Sequence, residues 1–478
     1  MELSPPPSGL TAEYETLFTT DSLLFLQNLI STFDEEVDEV LRLRISRKVH
    51  LDLSGDLPSF LESTEHIRRD PSWRVLPVPP RLQRRHVDIG DLAPCDTQRF
   101  IKALQSPAQG IQVDFDDGNC PTYHNQIKGI HNVLKAVHNQ IPNVPHISQA
   151  PVLMLRPRAW NMVEHNMMAT VLIENVLAAF EMEEILYELR EHSAGLNCGI
   201  WDYSASFVNK FGHRQAFLLP DRSKYVNMEK RFLRSYMDLL VQTCHRRGAL
   251  ATGGMAALLL PHDPLSDSHR RVLATVTRLK LLEIEAGVDG FMVYDLNLIE
   301  PMQKLFKFHT EDDNQLQQLR NDVTVTPDDL LSMPSGGVTL YGLKYNIAVG
   351  VLFINAWLSG NGHFFYRGQV EDSATAEISR SQVWQWIRHQ TQLEDDSRVV
   401  NRRLVTNLTA NVMMELCTVC GSVRARQRLH TAADIFLEVV LRRDFPEFIT
   451  TYLNMDHTFL SSQNSGQVEA PDVQRSKL

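Results

Sequence analysis

Two carboxylates carry the strongest chemical signal in the sequence. Glu174 closes the β-type run Thr170-Val171-Leu172-Ile173, and Asp202 closes Gly195-Leu196-Asn197-Cys198-Gly199-Ile200-Trp201, 28 residues further on. That separation holds about one helix and one strand. Acids at the C-terminal ends of neighbouring parallel strands converge on one rim of a βα barrel, and two carboxylates plus waters suit Mg²⁺, which keeps much of its hydration. The alternative is that both are ordinary strand-end acids.

Other residues add to this set. Val113-Asp114-Phe115-Asp116-Asp117 ends another β-type run in a carboxylate cluster, with turn or helix capping as the competing role. Arg156 and Arg158, in Leu155-Arg156-Pro157-Arg158-Ala159-Trp160, follow a further strand. A guanidinium supplies fixed positive charge suited to an enolate oxygen or a carboxylate, although a structural ion pair needs the same residue. Asp372 opens a helical run continuing through Ile378, Val383, Trp384 and Trp386, where its bland role is a helix cap.

The elements that must position these groups follow from periodicity. Leu23, Leu26, Ile30, Phe33, Val37 and Val40 or Leu41 recur at helical spacing, predicting a helix from Thr20 to about Arg47 with Asp21 as N-cap. Pro71, Pro77, Pro79 and Pro80 mark a connection. Between about 96 and 310 short β-rich runs alternate with helical ones: Ile111-Phe115, Val152-Leu155, Thr170-Ile173, Gly195-Trp201, Ala249-Thr252 and Gly290-Tyr294. From about Thr326 the pattern is predominantly helical. The expected architecture is α/β: an N-terminal helical segment (1–95), a TIM-type βα barrel (96–325), a C-terminal helical domain (326–460) and a polar tail (461–478).

The residue strings are more specific than the periodicity. Ala179 to Arg190 leading into Gly-Leu-Asn-x-Gly-x-Trp-Asp-Tyr, then Thr243-Cys244-His245-Arg246-Arg247-Gly248, Gly253-Gly254-Met255-Ala256-Ala257 and Glu371-Asp372-Ser373-Ala374-Thr375-Ala376-Glu377-Ile378-Ser379-Arg380, closely resemble malate synthase of the peroxisomal or glyoxysomal A type, from about Trp73 to Phe448. The resemblance implies condensation of acetyl-CoA with glyoxylate and water to give malate and CoA in the glyoxylate cycle. It implies Asp372 as the general base, Arg156 as the catalytic arginine, and Mg²⁺ on Glu174 and Asp202, with Asp116 reaching the metal through water. The family commonly has Glu at the position of Asp116, so the shorter side chain is a departure. Gly199 and Trp201, through backbone N–H groups of the Gly199–Asp202 turn, and Arg158 are the implied substrate contacts.

A larger departure lies between Met168 and Ala169. The family carries several tens of residues between its Arg-Pro-Arg-x-Trp strand and its Val-Leu-Ile-Glu strand, whereas here Asn161-Met162-Val163-Glu164-His165-Asn166-Met167-Met168 runs straight into Ala169. About one βα unit is absent, and a barrel closes only with a fixed strand number and shear, so either an open sheet edge or a re-formed rim is expected. Asp289-Gly290-Phe291-Met292-Val293-Tyr294-Asp295 also differs, where many bacterial and plant relatives read Asp-Gly-Thr-Trp-x-Ala-His-Pro. Two other readings therefore accompany the enzyme: an inactive splice product or incomplete gene model, and a related CoA-thioester aldol or lyase enzyme.

Bulk properties agree with a large soluble chain. The 478 residues are 43% hydrophobic and 22% charged, enough to bury a sizeable core. A net charge of −11 without a long basic run argues against nucleic acid and anionic membrane as partners. Neither a bilayer-length apolar run nor an N-terminal signal peptide is recognisable. The six cysteines are expected to be reduced, and Cys417-x-x-Cys420 to pack on one helix face, with zinc or redox chemistry as the alternative. Ser476-Lys477-Leu478 matches the tripeptide read by the peroxisomal import receptor, implying a peroxisome or glyoxysome matrix location.

Overall fold

Seven parallel strands build the frame of the computed structural model, which describes residues 3–157, 169–446 and 448–456. They are β1 (Val87–Leu92), β2 (Gly110–Asp114), β3 (Val152–Arg156), β4 (Ala169–Leu172), β5 (Ser193–Asn197), β6 (Leu250–Ala256) and β7 (Gly290–Val293). Their spatial order is β3-β2-β1-β7-β6-β5-β4. The first and last strands in sequence pair with each other, Val87 opposite Phe291 and Ile89 opposite Val293, as in a closing barrel. Among the described residues the sheet is instead open between β3 and β4, which are consecutive there in the chain.

That opening is where the sequence lacks a βα unit. Its effect is visible in burial. β1, β2 and β5 are buried along their whole length, while β3 and β4 are half-buried and Leu155 is 44% exposed. Each edge strand has lost the neighbour that would have taken up its outer backbone groups.

The sheet begins with β1, before residue 96, where sequence alone opened the barrel. Asp88, Gly90 and Asp91 interrupt its apolar pattern and conceal it. Gly90 is required there because a Cβ would lie 2.6 Å from the Met255 sulfur. The strand expected over Gly195–Trp201 ends at Asn197, and Asp202 lies in the first turn of the helix Ile200–Phe211. The long N-terminal helix α1 (Thr20–Ser54) outruns its expected end, and Thr19, not Asp21, caps it by accepting from Ser22 N–H at 3.3 Å.

α2 (Ile200–Phe211) packs against the C-terminal helices α3 (Leu340–Trp357) and α4 (Ser373–Arg388) through the latter. Together with α5 (Arg402–Cys417) and α6 (Val423–Leu441), α3 and α4 enclose a core around Ile347, Phe353, Trp386 and Phe436. A hairpin of β8 (Phe364–Tyr366) and β9 (Gln369–Glu371) bonds to the loop after β6, with Val370 N–H donating to Ala257 O and Leu259 N–H to Gly368 O, both at 2.9 Å. Asp372 follows β9 directly, so this docking brings the helical domain's acid over the rim of the sheet. Among the described residues no helix is long and apolar enough to cross a membrane.

Candidate active site

The C-terminal ends of β1 to β5 deliver Asp91, Asp114, Arg156, Glu174 and Asp202 to one rim. Arg156 is the hub. Its guanidinium lies 3.2 Å from Asp114, 3.8 Å from Asp116 and 3.7 Å from Glu174, and it also pairs with Asp117. Burial alone would lower the arginine's pKa, but Asp117, Asp114, Glu174 and Asp116 together hold it well above its ordinary value.

Carboxylates outnumber that single cation, and their protonation reflects it. Burial pushes Glu174 up to about 7, against the pull of Arg156 and with Asp117, Asp116 and Asp114 adding to the rise. Burial, then Glu174 and Asp117, raise Asp202 well above the usual carboxylate range. Asp114 rises for the same first reason. Desolvation and crowding of like charge both penalise the ionised form.

Two local devices set Glu174 against the start of α2. A Cβ on Gly199 would lie 2.8 Å from Glu174 Oε1, so glycine is what lets that carboxylate approach. The Tyr236 hydroxyl donates to Ile173 O and accepts from Gly199 N–H at 3.1 Å, pinning the residue before Glu174 to the residue before α2. In this structure the Gly199 N–H, one of the expected substrate donors, is engaged by Tyr236. No side chain caps α2, whose first-turn amides of Ile200, Trp201 and Asp202 are the remaining donors for an anion. Trp201 lies against the Arg222 guanidinium, 5.0 Å from its ring centre.

Asp372 is a helix cap as well as a site residue. Its Oδ1 accepts from Thr375 N–H at 3.0 Å, and Thr375 Oγ1 accepts from Asp372 N–H at 2.9 Å. Burial, then Asp117, raises its pKa. Asp117 bridges the domains, accepting from Ser373 Oγ on one oxygen and from Arg156 on the other. Asp91, held at a left-handed φ of +49°, is buried near Asp372, and burial, then Asp372 and Asp114, raise its pKa well above the usual carboxylate range. Behind Asp372, buried Glu371 accepts from Tyr345 Oη and lies 3.6 Å from Arg222.

The structure thus gathers Arg156, Asp116, Glu174, Asp202 and Asp372 with Gly199 and Trp201. Arg158 lies outside the described residues, as does Ser476-Lys477-Leu478. Asp116 faces Arg156, and among the described residues no three His, Cys, Asp or Glu side chains are gathered to hold an ion by themselves. The donor set still fits Mg²⁺. That ion is commonly held by one or two carboxylates with waters completing the shell, and Glu174 and Asp202 are half-buried hard-oxygen donors whose pKa values are raised by desolvation and then by neighbouring carboxylates, a cost that a bound cation would offset. Sequence reasoning missed Asp91, Asp117 and Tyr236 as site residues. Asp117 had a signal, its place in the Asp114–Asp117 cluster; Tyr236, deep in a helix, had none.

Comparison with known proteins finds the model for the malate synthase TIM barrel domain matching residues 150–333, and that for the malate synthase C-terminal domain matching residues 337–456. A malate synthase of Myxococcus xanthus is 36% identical over 460 residues, covering 81% of this chain and 84% of the relative. One from Streptomyces clavuligerus is 34% identical over 538 residues, covering 94% and 98%. A glyoxysomal malate synthase of Cucumis sativus is 32% identical over 522 residues, covering 92% and 91%. The Streptomyces alignment is longer than this chain's 478 residues, so it contains positions that this chain lacks.

Proposed function

We propose that this chain, which belongs to the malate synthase family, condenses acetyl-CoA with glyoxylate and water to give malate and CoA, with Asp372 and Arg156 as its catalytic pair. The observation that carries the site assignment is the convergence of Arg156, Glu174, Asp202 and Asp372 from both domains on one rim.

The methyl protons of acetyl-CoA are weakly acidic, so the base must work beside a group that stabilises the enolate as it forms. Asp372 is suited to the first task. One of its oxygens is committed to the helix cap, which fixes the carboxylate's direction, and burial raises its basicity. Arg156 is suited to the second, because its carboxylate partners fix the guanidinium in place without neutralising it. The enolate carbon then attacks the glyoxylate aldehyde, and water cleaves the malyl-CoA thioester to release malate and CoA.

Glu174 and Asp202 would hold Mg²⁺, which when bound supplies a Lewis acid for the aldehyde and alkoxide oxygens. The open first turn of α2 would receive the glyoxylate carboxylate, with Trp201 beside it. The finer location, a peroxisome or glyoxysome matrix, is supported by relatives named glyoxysomal, among them that of Cucumis sativus.

The sheet opening between β3 and β4 favours the second reading, a chain that has lost one βα unit and with it activity. Proton exchange separates the two. Asp372 and Arg156 in working geometry exchange the acetyl-CoA methyl protons with deuterated water in the presence of a glyoxylate analogue. A folded chain that fails to do so supports the second reading.

A further inference from the structure

Outside the active site, one cluster of nucleophilic side chains has a geometry that the reaction does not use. Cys417 is the last residue of α5, and Cys420 lies in the turn before α6. Cys420 N–H donates to Cys417 O at 3.3 Å, a closed i to i+3 turn. Such turns keep the two Cα atoms within about 7 Å, at the upper end of the range a disulfide spans. His430, on α6, places its Nε2 3.9 Å from Cys417 Sγ.

The other cysteines differ. Cys120, Cys198 and Cys244 are buried, and Cys95 is half-buried, its thiol donating to Asn119 Oδ1 at 3.2 Å and pushed up to about 11 by burial. Cys417 and Cys420 are half-buried and meet only the margin of the helical core, while His430 is exposed. Packing on a helix face, the role expected from sequence, therefore accounts for part of each side chain only. Arg426 and Arg428 add positive charge near the pair.

We propose that Cys417 and Cys420 form a reversible dithiol–disulfide pair, oxidised by a hydroperoxide, with Cys417 as the attacking thiol and His430 as the acceptor of its proton. The thiolate sulfur bonds to the terminal peroxide oxygen and the O–O bond breaks. The proton taken up by His430 goes to the departing oxygen, which for hydrogen peroxide gives water. The Cys420 sulfur then displaces the hydroxyl from the Cys417 sulfenic acid as a second water, forming the S–S bond. Two thiols lose two electrons and two protons while hydrogen peroxide becomes two waters. A dithiol reductant reverses the change by exchange. Cys420 is the less suited of the two to the first step, since burial, then the neighbouring Cys417, disfavours its thiolate.

The test is a hydrogen peroxide titration of the full, reduced chain, followed by peptide mass mapping with Cys95 as the internal reference. The peptide containing both Cys417 and Cys420 is expected to lose the mass of two hydrogen atoms before Cys95 reacts, and to regain it with dithiothreitol. Cys420→Ser is expected to stop at a Cys417 sulfenic acid that dimedone traps. His430→Asn is expected to slow Cys417 oxidation several-fold, because the acceptor of its proton is lost, and to leave Cys95 unchanged. Persistence of both thiols while Cys95 oxidises, or over-oxidation without an intervening disulfide, overturns the pair. An unchanged rate in His430→Asn overturns the role of the imidazole.

Discussion

Nη2 of Arg156 lies 3.7 Å from Oε2 of Glu174, although the strands that lead to them, β3 and β4, are the two opposite edges of the sheet. The C-terminal ends of those edges therefore approach each other even though no backbone ladder joins them. The wall of the barrel is open there, but the side chains of the candidate site still meet across the gap. Across that gap Arg156 faces Glu174, and Asp117 accepts from both Arg156 and Ser373 at the start of α4.

If so, the opening is local. Amide hydrogen exchange is expected to show β3 and β4 exchanging well ahead of β1 and β7, since exposed edges open at lower free energy than the interior of a sheet. Uniform protection across all seven strands contradicts an open edge.

Asp372→Asn isolates the base from the cap. Asparagine caps helices as well as aspartate does, so the fold and the α4 N-terminus are expected to persist while methyl-proton exchange falls by about 10²–10⁴-fold. Arg156→Ala is expected to lower kcat by roughly 10²–10³-fold, the range for removing one donor to a developing oxyanion. Retention of exchange in Asp372→Asn moves the base elsewhere on the rim.

Gly199→Ala tests the approach of Glu174 to α2. The added methyl meets Glu174 Oε1 at 2.8 Å, so the carboxylate must turn away. Weaker Mn²⁺ binding, read by electron paramagnetic resonance, with an unchanged melting temperature is the expected result. Unaltered binding separates Glu174 from the metal.

Stability should depend on pH through a residue remote from the site. His245 is buried; burial alone would lower its pKa, but its 3.1 Å contact with Asp289 raises it overall, and its Nδ1 meets Gln318 O at 2.7 Å. A raised folded pKa contributes stability that is fully present below about 6.5, the unfolded value, and lost as pH rises through the folded value. His245→Gln is expected to cost about 1–3 kcal/mol at pH 6 and less at pH 9, followed as the difference in melting temperature from the parent chain. A difference that grows with pH reverses the sign and contradicts the assignment.

The sequence made much of this legible, for reasons that differ by residue. β2 to β7 were readable as short β-rich runs bounded by turns, whereas β1 was not, because Asp88 and Asp91 sit inside it. The loss of a βα unit was readable because the strings on either side were intact. Asp202 was assigned to the right rim but the wrong element, since a strand flowing directly into a helix leaves no polar break at Gly199. Asp372 caps α4, the bland role, and at the same time lies on the rim where the proposed base would stand. Asp91 and Tyr236 became visible only in three dimensions, because their partners lie far away in the chain.

The most direct test of the central claim is glyoxylate-dependent release of CoA thiol from acetyl-CoA by the purified chain, with and without Mg²⁺. Release that requires acetyl-CoA, glyoxylate and the metal together is the predicted result, and shows that a rim closed by Arg156 and Glu174 suffices without a closed barrel. No release from a folded chain whose β1 and β7 amides are protected contradicts it, and leaves a malate synthase family member inactivated by the loss of one βα unit.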